Sequence, residues 1–223
     1  MKINLKTTVL AFAITAAFGS AQATGLVYNT PTANVDVVAS SFGGMLVASA
    51  ITNISNPSYN GIARTAVYDT GTGLDFYYQF TNNASSKNGV ERMTGYDFSS
   101  LGVNSVNVFQ TASAFGIFST GTEMSDYADR TSFGVIGFNY VPNGTSKINP
   151  GFTSFTQIIR TDARSYVAGN FGLINGYGDN AVGFAAAVPE PETYALLLAG
   201  LGLMGTIARR RKSNTDKSAQ SVT

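Results

Sequence analysis

Apolar and polar side chains alternate most regularly over residues 74–80, which is the pattern of a half-buried β-strand. The apolar face of this strand is formed by Leu74, Phe76, Tyr78 and Phe80. A second strand-like run covers residues 64–68, and a glycine-containing connection over residues 69–73 joins the two runs. This arrangement predicts a β-hairpin.

Further short apolar runs follow at the spacing expected of a sandwich, separated by clusters of glycine and asparagine. We predict additional strands at residues 90–98, 105–110, 131–140, 152–160, 173–174 and 181–186. Two short helices are predicted at residues 42–50 and 125–130. Because no amphipathic helical pattern separates the strands, a parallel α/β fold is disfavoured. The sequence therefore predicts a mainly β protein with a single antiparallel β-sandwich-like, or jelly-roll-like, domain over residues 24–187.

The N-terminal segment has the three parts of a secretory signal peptide. Two lysines precede a short apolar run over residues 9–18, and a small-x-small cleavage site follows at Ala21 and Ala23. An N-terminal anchor helix is disfavoured because the apolar run is too short to cross a membrane. We therefore predict that residues 1–23 form a signal helix that is removed, and that the mature chain begins at Thr24.

The C-terminal segment places an apolar run, residues 194–208, between a proline motif and a cluster of cations. The proline motif is Pro189, Glu190 and Pro191, and the cationic cluster is Arg209, Arg210, Arg211 and Lys212. As a helix the run would be about 22 Å long, which is short for a bilayer core of about 30 Å. Flanking arginines can extend to the interface and recover some length. We predict a transmembrane helix with a cytoplasmic C-terminus, in preference to a buried core helix.

The order of these three parts resembles the PEP-CTERM sorting domain of bacterial exported proteins. The resemblance covers residues 188–212 and implies recognition and cleavage by exosortase, a membrane-embedded cysteine protease or transpeptidase. It also implies an association with exopolysaccharide and biofilm. Residues 68–98 and 158–163 look like segments of PEP-CTERM passenger proteins and carry no catalytic residues across. The chain departs from the usual pattern by continuing over residues 213–223, a polar tail that we predict to be disordered.

Composition narrows the chemistry available to the predicted domain. Residues 24–187 contain ten acidic and seven basic side chains, a balance of −3, whereas the whole chain has a formal charge of +1. The domain has no basic patch, so we predict no nucleic-acid partner. The chain contains neither cysteine nor histidine. This excludes disulfides, Ser-His-Asp and Cys-His catalysis, and zinc or copper sites of the usual nitrogen and sulfur type.

One acidic cluster has the spacing of a metal site. Glu123, Asp126 and Asp129 follow each other at i, i+3 and i+6, so in a helix they would share one face, and their oxygens could hold calcium. The alternative is a solvated acidic turn. Apart from this calcium site, we predict no cofactor.

Three hypotheses about function remain open from the sequence. The first is an exported cell-surface or extracellular-matrix protein without catalytic activity, which binds exopolysaccharide or associates with itself. The second is a carbohydrate-binding module, with or without calcium. Tyr77 either contributes to a carbohydrate-binding or self-association surface or covers a second layer of the fold, and the second role is favoured because aromatic residues dominate β-cores. The third and least favoured is a glycoside hydrolase that uses only carboxylates, with Asp69 and Asp75 or Glu91 and Asp97 as the pair. The absence of tryptophan argues against it, because sugar hydrolases usually stack sugars on tryptophan.

Overall fold

The computed structural model describes residues 24–29, 35–102, 105–141, 147–187 and 194–205. Four predicted segments lie outside the described residues: the signal segment 1–23, the proline motif 189–191, the cationic cluster 209–212 and the tail 213–223.

The described residues form twelve β-strands and one helix. In chain order the strands are β1 Thr24–Gly25, β2 Asp36–Val37, β3 Met45–Ser55, β4 Asn60–Asp69, β5 Leu74–Asn82, β6 Arg92–Gly95, β7 Val106–Thr111, β8 Tyr127–Arg130, β9 Ile136–Asn139, β10 Thr156–Thr161, β11 Tyr166–Ile174 and β12 Gly178–Ala186. The helix, α1, covers residues 194–205.

The strands build two sheets. The larger has seven strands in the order β1-β7-β10-β5-β4-β3, with β2 also paired to β7, and the smaller has five in the order β12-β11-β6-β9-β8. Among the described strands, only the short β2–β7 pair is parallel. The chain passes from one sheet to the other after β5, β6, β7, β9 and β10. The prediction of a mainly β, essentially antiparallel fold with two sheets is confirmed.

The predicted hairpin is the connection between β4 and β5, which pair with Asp69 opposite Leu74. The Asp69 carboxylate accepts a 2.7 Å hydrogen bond from the Gly71 N–H, and the Thr70 N–H donates to the Gly73 carbonyl at 3.0 Å. Gly71 has a φ of 82°, a conformation that favours glycine. The aspartate and glycine seen in the sequence therefore determine this turn.

The main hydrophobic core lies between the two sheets. The larger sheet contributes the apolar face of β5, as the alternation over residues 74–80 predicts. Fully buried members from the smaller sheet include Phe138, Phe171 and Leu173. Burying one such side chain contributes about 1.5–3 kcal/mol. Because the chain has no disulfide, this burial is the principal force that holds the sheets together.

Two buried tyrosines connect the sheets by hydrogen bonds. The Tyr78 hydroxyl donates to the Phe184 carbonyl at 2.6 Å, and the Tyr59 hydroxyl donates to the Leu173 carbonyl at 2.8 Å. Burial raises the pKa of Tyr59 to about 12. Each bond joins a tyrosine hydroxyl from the side of the larger sheet to a backbone carbonyl of the smaller sheet, so these tyrosines also set how the sheets are placed against each other.

A second apolar cluster covers the outer face of the larger sheet. Tyr77 is fully buried there and packs with Phe109, Phe118 and Ile158. Its ring contacts the Phe115 ring edge-on, with centroids 5.3 Å apart. The hypothesis that Tyr77 contributes to an exposed carbohydrate-binding surface is therefore wrong, because loop residues form a second layer over this face.

Both predicted helices are wrong. Residues 42–50 contain the first half of β3, which pairs with β4 in antiparallel fashion, and residues 125–130 contain β8, which pairs with β9. Alanine and methionine are good helix formers, so the local sequence favours a helix most clearly at the start of β3. In both places pairing with a neighbouring strand outweighs the local pattern.

The predicted strands correspond to observed ones with shifted bounds. The largest difference is β11, which covers nine residues where only residues 173–174 were expected. Glycines interrupt the apolar pattern that would predict this strand from the sequence. Close packing against the neighbouring strand nevertheless requires Gly172. A Cβ there would lie 2.3 Å from the Thr94 hydroxyl oxygen on the neighbouring β6.

We expect Tyr78→Phe to lower the free energy of unfolding by about 1 kcal/mol, because the half-buried Phe184 carbonyl loses its hydrogen-bond donor. Urea unfolding monitored by circular dichroism measures the change. The matched control is Tyr177→Phe, in which the tyrosine is 55% exposed and the expected change is less than about 0.5 kcal/mol. Equal effects of the two variants would contradict the role of Tyr78.

Candidate functional site: the carboxylates and the C-terminal junction

The acidic cluster predicted to bind calcium does not lie on a helix. Glu123 lies in a loop and forms an isolated bridge with Ser154, and Asp129 lies in strand β8. The backbone N–H of Asp126 donates to the Asn139 carbonyl at 2.8 Å. The shared helical face is therefore absent. No three His, Cys, Asp or Glu side chains in the described part of the chain are grouped to hold a metal ion. Calcium binding stays a prediction without this geometric basis.

Asp129 is instead part of a charged network in the smaller sheet. The Arg92 guanidinium forms an ion pair with Asp129 and donates to the carboxylate through Nη2 at 2.7 Å. The Asn139 amide donates to the same carboxylate at 2.7 Å. Burial of Asp129 opposes its ionisation, but the hydrogen bonds from Arg92 and Asn139 outweigh it and hold the pKa of Asp129 below its usual value.

A glycine makes room for this network. Gly137 of β9 lies opposite Asp129 on one side and Thr94 of β6 on the other. A Cβ at Gly137 would lie 2.0 Å from Nη2 of Arg92. The guanidinium therefore crosses the surface of β9 at the one position where no side chain blocks it.

The two carboxylate pairs considered for glycoside hydrolysis have separate structural contacts. Asp69 caps the β4–β5 turn. Asp75 is fully buried and accepts hydrogen bonds from Arg160 at 2.7 and 3.0 Å. Glu91 forms an ion pair with Lys147, and Asp97 accepts from the Ser99 N–H at 3.0 Å. The structure assigns each of these carboxylates a local partner.

The Asp75–Arg160 pair lies under an aromatic ring. Burial raises the pKa of Asp75, although the Arg160 guanidinium opposes the shift. Arg160 lies 3.7 Å from the centre of the Phe42 ring, in cation–π geometry. Phe42 in turn packs edge-on against Phe109 of the outer apolar cluster. This contact extends the second layer over the pair and reduces its access to water.

Arg130 is a structural residue that the sequence did not single out. Its guanidinium is buried and donates to the Phe98 and Leu101 carbonyls, both at 2.7 Å, and to the Gly102 carbonyl at 3.1 Å. It also lies 4.0 Å from the centre of the Tyr28 ring. Nothing local in the sequence distinguishes this arginine, because its partners are backbone carbonyls from a loop that is distant along the chain.

The C-terminal junction begins where β12 ends. The Ala187 N–H donates to the Ser165 carbonyl at 2.9 Å, which extends the β11–β12 pairing by one step. Beside this point lies a cleft of about 420 Å³, lined in part by Tyr96, Val167 and Ala187. The cleft forms because β6 stops at Gly95, which leaves the first residues of β11 without a partner on that side.

Helix α1 lies within the predicted transmembrane segment 194–208, of which residues 206–208 are outside the described part. Its large side chains are exposed; the leucines among them are Leu196, Leu197, Leu198, Leu201 and Leu203. No helix in the described part of the chain is both long and apolar enough to span a membrane. The described helix is about 18 Å long at a rise of about 1.5 Å per residue.

Comparison with known proteins identifies the C-terminal segment. Residues 187–212 match the PEP-CTERM protein-sorting motif. No curated protein and no solved structure matches the chain. The match confirms the resemblance found in the sequence and extends it to Ala187. It implies an exported protein that is sorted to the cell surface through exosortase.

We expect Asp129→Asn to lower the free energy of unfolding by about 1–2 kcal/mol at pH 7, because Arg92 loses a charged partner. The folded-state pKa of Asp129 is lowered. The contribution of its charge is therefore complete above the unfolded pKa of about 3.9 and is lost as the pH falls through the folded pKa. In urea unfolding, the difference between parent and variant should stay constant from pH 7 to about pH 5 and shrink as the pH falls below about 4.

The control for this experiment is Asp162→Asn, which removes an exposed carboxylate whose side chain contacts Ser105. Its expected cost in the free energy of unfolding is less than about 0.5 kcal/mol both at pH 7 and below pH 4. A cost of Asp129→Asn that did not shrink as the pH was lowered well below 4 would show that the charge of Asp129 does not stabilise the fold.

Proposed function

We propose that this protein is a non-catalytic component of the cell surface or extracellular matrix, delivered by its PEP-CTERM motif. After export, residues 194–208 hold the chain in the inner membrane with the cations 209–212 in the cytoplasm. Exosortase then cuts near Pro189–Pro191. The sandwich is released or displayed at the surface, where it contributes to an exopolysaccharide matrix or biofilm.

One observation supports this proposal above the others: the sorting motif begins where the sandwich ends. β12 ends at Ala186, and the Ala187 N–H makes the next backbone bond to β11. The motif match begins at Ala187. A cut beyond this residue removes no strand from either sheet, so the released domain keeps its whole core.

The residues between β12 and α1 are suited to proteolysis. Pro189 and Pro191 disfavour helical backbone in themselves and in the residues before them. The six residues 188–193 span at most about 20 Å when extended. This length places the prolines within reach of an enzyme at the membrane surface. A protease binds its substrate as an extended strand, and this segment is biased toward that conformation.

The absence of catalysis is the second part of the proposal. The carboxylates that could have formed a catalytic pair each hold a turn, a strand pair or a loop in place. Asp75 is fully buried beneath the Phe42 layer. These contacts support a structural use of the acidic residues and favour an interaction protein over a glycoside hydrolase.

The test of sorting is the triple variant Pro189→Ala, Glu190→Ala, Pro191→Ala in the native host. We expect the parent to lose its C-terminal segment only in cells that contain exosortase, and the variant to keep it in both strains. The reason is that the variant lacks the extended recognition segment while its membrane segment is unchanged. Intact mass spectrometry of membrane and extracellular fractions measures the outcome.

The matched control is Thr193→Ala, which alters a neighbouring polar residue outside the triplet and should be processed like the parent. Processing of the triple variant at the parental rate would contradict the role of the motif. Retention of residues 194–223 by the parent with and without exosortase would contradict the proposed release.

A further inference from the structure

Strand β3 forms an open edge of the larger sheet. It ends the strand order, and among the described strands it pairs with β4 only. The edge of the smaller sheet runs beside it, since the Val182 N–H donates to the Thr52 hydroxyl at 3.3 Å. This contact is to a side chain, so it leaves the outer backbone groups of β3 without a strand partner.

The hairpin that joins β3 to β4 shows which backbone groups face outward. The Asn56 N–H donates to the Tyr59 carbonyl at 3.0 Å, which makes these two residues a hydrogen-bonded pair. Bonding alternates along an antiparallel ladder, and the register places Ile51 opposite Arg64 in a non-bonded pair. The N–H and C=O groups of Ser49, Ile51 and Asn53 therefore point away from β4.

This edge has only one of the usual protections against pairing with another chain, a bulge near its start. Exposed edges are commonly blunted by lysine, proline, inward-pointing charges or bulges, and the eleven residues of β3 include no lysine, proline or charge. Four large apolar side chains are exposed along it: Met45 by 66%, Ile51 by 60%, Leu46 by 49% and Val47 by 39%. A bulge at Val47 interrupts the register, so the regular part of the edge covers residues 48–55.

The nearest charge on the same sheet is directed away from the edge. Arg64 of β4 lies opposite Ile51, and its Nη1 donates to the Thr81 hydroxyl of β5 at 2.8 Å. An uncharged edge suits an identical uncharged edge, because a two-fold arrangement brings no like charges together. The same edge offers no charge complementarity to a charged partner.

We propose that β3 is a dimerisation edge, and that its occupant is β3 of a second copy of this chain, antiparallel and centred on Ile51. In this register Ile51 faces Ile51, and Ser49 of each copy faces Asn53 of the other. Three hydrogen-bonded pairs supply about six backbone hydrogen bonds. The two sheets then become one continuous sheet across the dimer, as in other cases of strand addition.

The size of the edge agrees with a weak, concentration-dependent dimer. Residues 48–55 extend about 27 Å at about 3.4 Å per residue, and one sheet layer is about 10 Å thick. The strand contact is therefore about 270 Å² per copy and about 540 Å² in total, which is in the range of weak and transient interfaces. The proposal does not rest on sorting, because it concerns the folded sandwich alone.

The first experiment compares the full chain with Ile51→Lys by sedimentation equilibrium in a mild detergent, over a series of protein concentrations. We expect the parent to form a dimer and the variant to dissociate at least about tenfold more readily, because two lysines would face each other across the two-fold axis. Ile51 points to solvent, so the variant should keep the parental circular dichroism spectrum and urea midpoint. The control Phe133→Lys places the same charge on an 81% exposed residue of the β8–β9 turn and should dimerise like the parent.

The second experiment uses the absence of cysteine. Ile51→Cys should be joined into a covalent dimer by a short bis-maleimide, whereas Phe133→Cys should stay monomeric. A parent that is monomeric at every concentration would overturn the proposal. So would a dimer that survives Ile51→Lys, since it would then be held by α1 or another surface. Sorting is measured separately by mass in cells, so failure of either proposal leaves the other intact.

Discussion

The burial of two apolar sheet faces against each other is the interaction on which this structure depends. The chain has no disulfide and no histidine or cysteine ligand for a metal, so an exported domain must be stabilised by its core alone. Tyr59 and Tyr78 belong to that core by their rings and to the hydrogen-bonding system by their hydroxyls. Their rings contribute apolar burial, and their hydroxyls fix how the two sheets are placed against each other.

The charged residues serve the same scaffold. Asp129 pairs with Arg92 beside Gly137, Asp75 pairs with Arg160 beneath an aromatic ring, and Arg130 closes a loop through backbone carbonyls. A buried pair that lost one partner would leave a charge without compensation, which is costly in a low-dielectric interior. Acidic residues that suggest metal binding or catalysis in the sequence are thereby used to hold strands and turns. This use agrees with the non-catalytic role that we propose for the domain.

The sequence predicted the fold class and the β4–β5 hairpin, because alternation and turn chemistry are local signals that the sandwich preserves. It failed where pairing overrode local preference. The alanine-rich start of β3 reads as a helix, yet β4 offers it a complete ladder. Glycines hid most of β11, since their role there is close packing against β6, which only the three-dimensional arrangement shows.

The sorting signal can be recognised from the sequence alone, because the PEP-CTERM motif is a linear order of prolines, an apolar run and cations. The roles of the acidic residues and the position of the open strand depend instead on the folded arrangement. Asp129 meets Arg92 and Asn139 across three strands, and β3 becomes an edge because no described strand follows it in the sheet. Such relations join residues far apart along the chain, and no local pattern encodes them.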